Sequence, residues 1–194
     1  MTSLVATLVT GIARCQQREL PIESLENYGI IVVLSATFTR YRRYKMSIVV
    51  AFDPGLVTGV ATVNTDNMAN LMTFEYGWQE VCNHLQNLYR SNLPDEYVYE
   101  TFTITEGTAK LSPNSAPMDV IGAIKYVATL GCVRLTAQRP YDAKHFATDD
   151  RLKTYGWYTR GRGHSNDASR HLFLYCAKHG YIQFDSEGSL ICPT

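Results

Sequence analysis

The sequence lacks any pair of cysteines with metal-binding or redox spacing. No CxxC motif occurs, and the cysteines are odd in number and far apart: Cys15, Cys82, Cys132, Cys176 and Cys192. This pattern excludes a zinc knuckle and a disulfide framework, and it favours a reducing compartment. A long apolar run is also missing, and the mildly apolar segment 3–12 has no basic residue before it, which makes it a poor signal peptide. We therefore expect a cytoplasmic protein with no membrane partner.

Net charge is absent as well, since 18 Lys and Arg balance 18 Asp and Glu. The balance conceals an uneven distribution. Residues 1–45 carry six basic and three acidic side chains, residues 46–133 carry three and nine, and residues 134–194 carry nine and six. An acidic stretch followed by a basic one suits a protein that binds cations with one part and an anionic polymer with the other. Uneven surface charge without such a function is the alternative.

The 194 residues suffice for one domain with an appendage. Residues 1–45 match no element of the pattern that follows, and two interpretations stay open. The basic run 40–45 suits an arm that contacts phosphates. Alternatively, Met46 is the true start of the protein. If the codons of Arg42 and Arg43 are AGG, they would form a bacterial ribosome-binding site just before Met46. CGN codons at these two positions would remove the reason for this interpretation. We expect residues 1–45 to be poorly ordered or upstream of the start, and residues 46–194 to form the folded domain.

Apolar periodicity over residues 46–194 predicts strands and helices in a definite order. The predicted strands span residues 48–53, 57–64, 71–76, 96–102 and 132–138, and the predicted helices span residues 78–90, 117–130 and 165–179. Short helical pieces over 140–155 and a small hairpin within 181–194 complete the chain. Three strands, helix, strand, helix, strand, helix is the order of a ribonuclease H-like α/β fold, a mixed five-stranded sheet flanked by helices.

Three acidic residues fall where this topology brings chain segments together. Asp53 ends the first strand, Glu100 lies near the end of the fourth, and Asp167 lies in the first turn of the last helix. Considered singly, Asp53 fits a residue that forms a turn and Glu100 fits a charge at the edge of a sheet. Asp167 fits an acid that is favoured by the helix dipole near a helix N-terminus. Together they would repel each other unless a cation lay among them, and oxygen ligands select Mg²⁺ or Mn²⁺. Two such ions about 4 Å apart can activate water for phosphodiester hydrolysis.

Two histidines flank the third acid. His164 lies three residues before Asp167 and His171 four residues after it, so all three can share one helical face. A histidine at this position can be a metal ligand or can assist the attacking water. His171 alone fits a partly buried helix residue equally well.

Three motifs resemble those of RuvC-type Holliday-junction resolvases, especially the small RuvC-like resolvases of bacteriophages. Over roughly residues 47–180, they are Asp53-Pro54-Gly55 with Thr58-Gly59, then Tyr99-Glu100, then His164-Ser165-Asn166-Asp167-Ala168. The resemblance implies that Asp53, Glu100, Asp167 and His164 are catalytic and bind metal, with Mg²⁺ as cofactor and Mn²⁺ as substitute. It also implies a crossover junction endodeoxyribonuclease that acts on four-way junctions in phage DNA recombination, repair or packaging, in the host bacterial cytoplasm.

The sequence departs from the family pattern in three places. His164 occupies a position where the family often has a second acid. Thr103 stands three residues after Glu100, where an aromatic side chain wedges open the junction, and Phe102 lies one residue earlier. The stretch 134–162 is little like that of the bacterial enzymes, so the resemblance implies no cut sequence.

Basic residues are concentrated in the second half of the chain, where residues 134–170 hold eight of them against four acids. All eight suit phosphate contacts. The predicted DNA-binding residues are Lys110, Phe102, Arg139, Lys144, Lys153, Arg160 and Arg162. Tyr155, Trp157 and Tyr158 suit stacking on unpaired bases, or else belong to the core. Two symmetric cuts need two active sites related by a twofold axis, so we expect a homodimer formed through residues 117–130.

Three other functions compete with that of a resolvase. A nuclease of the same fold acting on flap DNA, fork DNA or RNA has the same motifs. A catalytically silent nucleic-acid-binding module has no need of three intact acids. A sugar-kinase or actin-like ATPase requires a second lobe with its own phosphate loop, and no second Asp-x-Gly turn follows the first.

Overall fold

A computed structural model of the protein describes residues 47–91, 94–103, 115–185 and 190–191. The predictions for residues 1–45, for a start at Met46 and for Lys110 lie outside these ranges. The described elements, in chain order, are β1 (Ile48–Asp53), β2 (Thr58–Asn64), β3 (Asn67–Tyr76), α1 (Trp78–Ser91), β4 (Glu96–Glu100), α2 (Ala116–Gly131), β5 (Arg134–Gln138), α3 (Pro140–Phe146), α4 (Asp149–Thr154), α5 (Gly163–Lys178), β6 (Gln183–Phe184) and β7 (Leu190–Ile191). None of these helices is long and apolar enough to cross a membrane.

Five of the strands form one mixed sheet in the order β3-β2-β1-β4-β5. The first three strands pair antiparallel, whereas β4 runs parallel to β1 and β5 runs parallel to β4. The helical connections before and after β4 are the crossovers that parallel pairing requires. The predicted ribonuclease H-like α/β fold is confirmed. In the tail, β6 and β7 pair antiparallel in a separate small sheet.

Alternation along the strands assigns the two faces of the sheet. Val49, Ala51 and Val98 lie in one core cluster with α5. The intervening residues lie in a second cluster with α1 and α2, formed by Val50, Phe52, Val60, Val81, Leu85, Tyr97, Tyr99, Val120, Ile121, Ile124 and Ala128. Asp53 lies two residues after Ala51, and Glu100 lies two residues after Val98, so both belong to the same face of the sheet as the first cluster. Both carboxylates therefore point to the face that α5 covers.

Some element boundaries differ from the prediction for local reasons. β5 begins at Arg134 rather than at residue 132, because Cys132 adopts a left-handed backbone (φ 49°) that ends α2. The fourth strand ends at Glu100 rather than at residue 102. α5 begins at Gly163, two residues earlier than predicted, so Asp167 lies beyond its first turn. The predicted placement of Asp167 in the first turn is therefore wrong.

Trp157 belongs to the hydrophobic core. It is 1% exposed, its Nε1–H donates to the Met68 carbonyl at 3.0 Å, and its ring packs edge-on against Tyr155 and Phe173. Tyr155 is buried as well. Burying an aromatic ring stabilises the fold by about 2–3 kcal/mol, which favours the core over an exposed loop. Base stacking is therefore a wrong prediction for both residues, whereas Tyr158 is half-buried.

Two buried tyrosines offer a matched test of hydroxyl pairing. The Tyr97 side chain is fully buried, and its hydroxyl has no hydrogen-bond partner within the described ranges. The Tyr175 hydroxyl donates to Glu96 Oε2 at 2.6 Å. Since an unpaired buried hydroxyl costs about 1–3 kcal/mol, Tyr97→Phe should raise the free energy of unfolding by about 1 kcal/mol. Tyr175→Phe should lower it by about 1–3 kcal/mol. Urea denaturation measures both, and a greater loss in Tyr97→Phe would contradict this account.

Candidate active site

Several polar side chains lie together at one end of the sheet, on the face that α5 covers. Strand pairing places Asp53 opposite Gly59, and Gly59 opposite Glu75. On its other side, β1 pairs with β4 in a register that brings Asp53 beside Glu100, and Glu100 is opposite Gln138. Cross-strand partners share a face of the sheet. Two of the predicted acids are therefore neighbours within one row of polar side chains.

The backbone of α5 lies directly against this row. A Cβ atom at Gly59 would lie 1.9 Å from the carbonyl oxygen of His164 and 2.9 Å from the amide nitrogen of Ser165. Only glycine leaves room for such an approach. The first turn of α5 therefore fills the space that a side chain at Gly59, beside Asp53, would occupy.

Two side-chain contacts fix where α5 begins. The Ser165 N–H donates to Glu75 Oε1 at 3.1 Å, so a carboxylate from β3 caps the positive end of the helix. The Asn166 side chain accepts from the Thr159 N–H at 2.9 Å and donates to the Thr159 carbonyl at 2.8 Å. These bonds hold the start of α5, which carries the third predicted acid, in place against the sheet.

His164 contacts the first predicted acid. Its Nδ1 lies 3.0 Å from Asp53 Oδ2, and its side chain is 51% exposed whereas that of Asp53 is 12% exposed. Burial raises the pKa of Asp53 to about 6; the hydrogen bond from His164 opposes this rise, and the negative charges of Glu100 and Asp167 add to it. The three predicted acids are thus within electrostatic reach of one another.

His171 contacts the second predicted acid. Its Nε2 lies 2.8 Å from Glu100 Oε2, and its Nδ1 lies 3.0 Å from Gln138 Oε1. The His171 side chain is fully buried, whereas that of Glu100 is 18% exposed. His171 is therefore a hydrogen-bond partner of a predicted ligand.

Basic side chains surround the third predicted acid. Lys144 Nζ lies 3.1 Å from Asp167 Oδ2, and Arg170 Nε donates to Asp167 Oδ1 at 3.1 Å. Burial lowers the pKa of Lys144, but the hydrogen bond and charge of Asp167, with the charges of Glu100 and Asp53, outweigh burial and raise this pKa. A positive charge from α3 therefore lies at the acids.

The side chains at this site suit a divalent cation by type. Carboxylate oxygens with one imidazole match the preferences of Mg²⁺ and Mn²⁺. The pKa of Asp53 is raised mainly by burial and further by the negative charges of Glu100 and Asp167, and a bound cation would oppose both effects. Within the described ranges, however, no three His, Cys, Asp or Glu side chains already form a group that could hold a metal ion. Asp167 would have to exchange its contacts with Lys144 and Arg170 for a cation.

The predicted DNA-binding residues differ in their distance from the acids. Lys144 contacts Asp167. Arg139 directly follows β5, Arg162 directly precedes α5, and Phe102 lies two residues after β4; all three are exposed beside the strand and helix ends that carry the acids. Lys153 and Arg160 are exposed on α4 and on the connection between α4 and α5.

Two other basic residues of the predicted contact region are engaged elsewhere. Arg170 is only 14% exposed and donates to the Ala147 carbonyl at 2.6 Å, and it also pairs with Asp149. The Arg170 guanidinium is therefore bonded to partners within the protein, and its contact with phosphate stays a prediction. Arg134 pairs with Glu96 at 3.3 Å, at the end of β4 opposite the acids.

Sequence reasoning missed Glu75, Gln138 and the pairing of His171 with Glu100. Gln138 ends β5 as Glu100 ends β4, so the strand-end argument that selected the glutamate also applied to it. The Glu75 contact had no local signal, because it depends on how β3 pairs within the sheet. The spacing of three residues between Asp167 and Arg170 is an ordinary helical ion-pair spacing that pointed to their contact.

The strand order, strand directions and covering helices define a ribonuclease H-like fold. No family model and no curated protein matches the sequence. Among solved structures, T. thermophilus RuvC in complex with a Holliday junction substrate aligns with a TM-score of 0.46 and 17% identity, over 70% of this chain and 97% of that chain. Another Thermus thermophilus RuvC structure aligns with a TM-score of 0.47 and 16% identity, over 69% and 97%. The fold assignment rests on the sheet topology itself.

The raised pKa of Asp53 predicts that this residue destabilises the metal-free protein above pH 6. The folded-state pKa, about 6, exceeds the ordinary 3.8, so the folded protein binds more protons between these values and loses stability as pH rises through them. In EDTA at pH 8, Asp53→Asn should therefore raise the free energy of unfolding by about 1–3 kcal/mol. The gain should shrink as pH falls from 6 towards 4, as measured by urea denaturation.

Asp66→Asn is the matched control, because Asp66 lies exposed in the turn between β2 and β3. It should leave stability nearly unchanged across the same pH range. Equal stability of Asp53→Asn and the parent protein at pH 8 would contradict a carboxylate whose pKa is raised by burial and by neighbouring acids.

Proposed function

We propose that the protein is a metal-dependent endonuclease that hydrolyses phosphodiester bonds of branched DNA, and specifically a resolvase of four-way junctions. One observation carries the proposal: β1, β4 and α5 bring Asp53, Glu100 and Asp167 into mutual electrostatic reach at one end of the sheet, with His164 on Asp53. Three acids from separate elements are costly to fold together without a function that needs them.

The proposed chemistry assigns each side chain a task. Asp53, Glu100, Asp167 and His164 would hold Mg²⁺ or Mn²⁺, which when bound would supply charge stabilisation at the phosphate and an activated water. Lys144 is near enough to all three carboxylates to be attracted by them, and a phosphate entering the site would offer it an alternative partner.

The substrate class rests on the motif resemblance to RuvC-type resolvases and on the exposed residues beside the site. Arg139 and Arg162 border the acids, and basic side chains there suit the phosphates of a DNA strand. Phe102 is 37% exposed two residues after Glu100, a position that suits contact with bases at a branch point. The same resemblance supports a role in phage DNA recombination, repair or packaging within the bacterial cytoplasm.

Cleavage of a synthetic four-way junction tests the proposal. With Mg²⁺ or Mn²⁺, the parent protein should make paired, symmetric nicks, and EDTA should abolish them. Asp53→Asn should cut at least about 1000-fold more slowly, since several kcal/mol of transition-state stabilisation are lost. Binding to the junction should persist in this variant, and Asp66→Asn should cleave normally.

The alternative functions give different results in the same assay. Equal nicking of linear duplex, flap, fork or RNA substrates would replace the resolvase by a less selective nuclease. Binding by the parent protein without any cleavage would indicate a silent binding module and would refute the proposed enzyme.

We also infer that two copies associate through α2. This helix buries Val120 and Ile124 against the sheet, whereas its outer side exposes a stripe at spacings of four residues, formed by Met118, Gly122, Tyr126 and Leu130. Tyr126 is 66% exposed and Met118 is 50% exposed. Apolar side chains in one exposed stripe are typical of an interface between copies. Such a pair would supply the two active sites that symmetric nicking needs.

Tyr126→Glu tests this interface. A charge in the centre of the stripe should convert a dimer into a monomer at micromolar concentration, as measured by analytical ultracentrifugation, and should uncouple the two nicks on a junction. Asn87→Glu on the exposed side of α1 is the control and should leave the dimer intact. A parent protein that is monomeric at micromolar concentration yet makes paired nicks would rule out the dimer.

A further inference from the structure

His171 is a fully buried polar side chain in the apolar face of α5. Its helix neighbours Leu172, Phe173 and Leu174 are all buried hydrophobic residues. Both ring nitrogens have partners, since Nε2 lies 2.8 Å from Glu100 and Nδ1 lies 3.0 Å from Gln138. A buried imidazole costs free energy unless it is hydrogen-bonded, so the two contacts explain how the core tolerates it.

The two partners of His171 are neighbours in the sheet. Glu100 and Gln138 are the last register pair of β4 and β5, and the Thr101 N–H continues the ladder by donating to the Gln138 carbonyl at 2.8 Å. The imidazole therefore spans the ends of two parallel strands. Any rotation of the Glu100 side chain would break a bond to a ring that is itself held on its other side.

The chemistry of the contact fixes the direction of one bond. An ionised carboxylate is acceptor only, so the His171 Nε2–H donates to Glu100 Oε2. On the other side, the Gln138 amide can present either its oxygen or its nitrogen to Nδ1, so it can complete the pairing for either form of the ring. One carboxylate oxygen of Glu100 is thereby hydrogen-bonded to a buried side chain of the protein.

We propose that His171 and Gln138 are positioning residues that orient the Glu100 carboxylate for a divalent cation. This inference rests on the proposed function, since it takes Glu100 as a metal ligand. Hydrogen bonds behind a ligand fix its orientation and commonly change metal affinity 10- to 100-fold. The contact is placed for this task, because Glu100 adjoins Asp53, whose charge would otherwise drive an unrestrained carboxylate away.

Metal binding without DNA provides a readout that is independent of cleavage. Mn²⁺ affinity is measured by calorimetric titration of the metal-free protein. His171→Phe, which removes the donor and fills the space, should weaken Mn²⁺ binding about 10- to 100-fold. His171→Gln can still donate to Glu100 and should recover most of the affinity. Gln138→Leu should weaken binding less, since it frees the ring but keeps the donor.

Cleavage kinetics and a control variant complete the test. The Mn²⁺ concentration for half-maximal cleavage should rise in His171→Phe by the same factor as the dissociation constant, while junction binding in EDTA stays unchanged. His179→Phe is the control at the end of the same helix, because His179 directly follows α5, is exposed and bonds to the Tyr175 carbonyl away from the acids. It should retain the parent affinity for Mn²⁺.

The outcomes separate this inference from the proposed function. A parent protein that binds Mn²⁺ and cleaves, together with a folded His171→Phe of unchanged Mn²⁺ affinity, would overturn the positioning role alone. A parent protein that neither binds Mn²⁺ nor cleaves would overturn both. If His171→Phe does not fold, Gln138→Leu decides, and parent-like affinity in that variant would also overturn the proposal.

Discussion

The arrangement of the site depends on a close backbone approach between α5 and β2. The His164 carbonyl lies where a side chain at Gly59 would begin, so the helix rests on the strand without an intervening layer of side chains. Gly59 is the register partner of Asp53. Because the contact is made by backbone atoms, it sets the height of the first helical turn over the sheet. His164 can then reach Asp53, and Glu75 can reach the N–H of Ser165.

A second constraint sets the direction and register of the same helix. Along α5, His171 contacts Glu100 and Tyr175 contacts Glu96, so the helix runs antiparallel to β4. Both contacts are hydrogen bonds between the helix and one strand; the Tyr175 bond is buried and the His171 bond is partly buried. A shift of the helix by one residue would remove one donor from each carboxylate, and a hydrogen bond to a charged group contributes about 1.5–3 kcal/mol. The two bonds therefore favour a single register, which in turn fixes the place of Asp167.

Sequence reasoning reached the sheet and the strand-end acids because both follow local rules. A continuous apolar run identifies β1, a short run of tyrosines and valine identifies β4, and parallel strands bring Asp53 and Glu100 to the same edge. The contacts of α5 with other elements could not be obtained in this way, because the partners of His171 and the pairing of Asp167 with Lys144 depend on the rotation of the helix about its own axis. Trp157 illustrates the same limit: the sequence left base stacking and a core position open, and its burial depends on a contact with the distant strand β3.

Each predicted acid has a basic partner, and these partners differ in how easily they can leave. His171 is fully buried, so its bond to Glu100 is retained unless the core opens. Lys144 is 52% exposed on a flexible stem, so Asp167 can exchange it for another cation at small cost. His164 lies between these two in how easily it can leave its acid. The helix turn that carries it is held against β2, but its side chain is 51% exposed and can turn away from Asp53. The acid cluster can therefore fold with hydrogen-bond and ion-pair partners from the protein, and exchange of the His164 and Lys144 contacts would let it accept a cation.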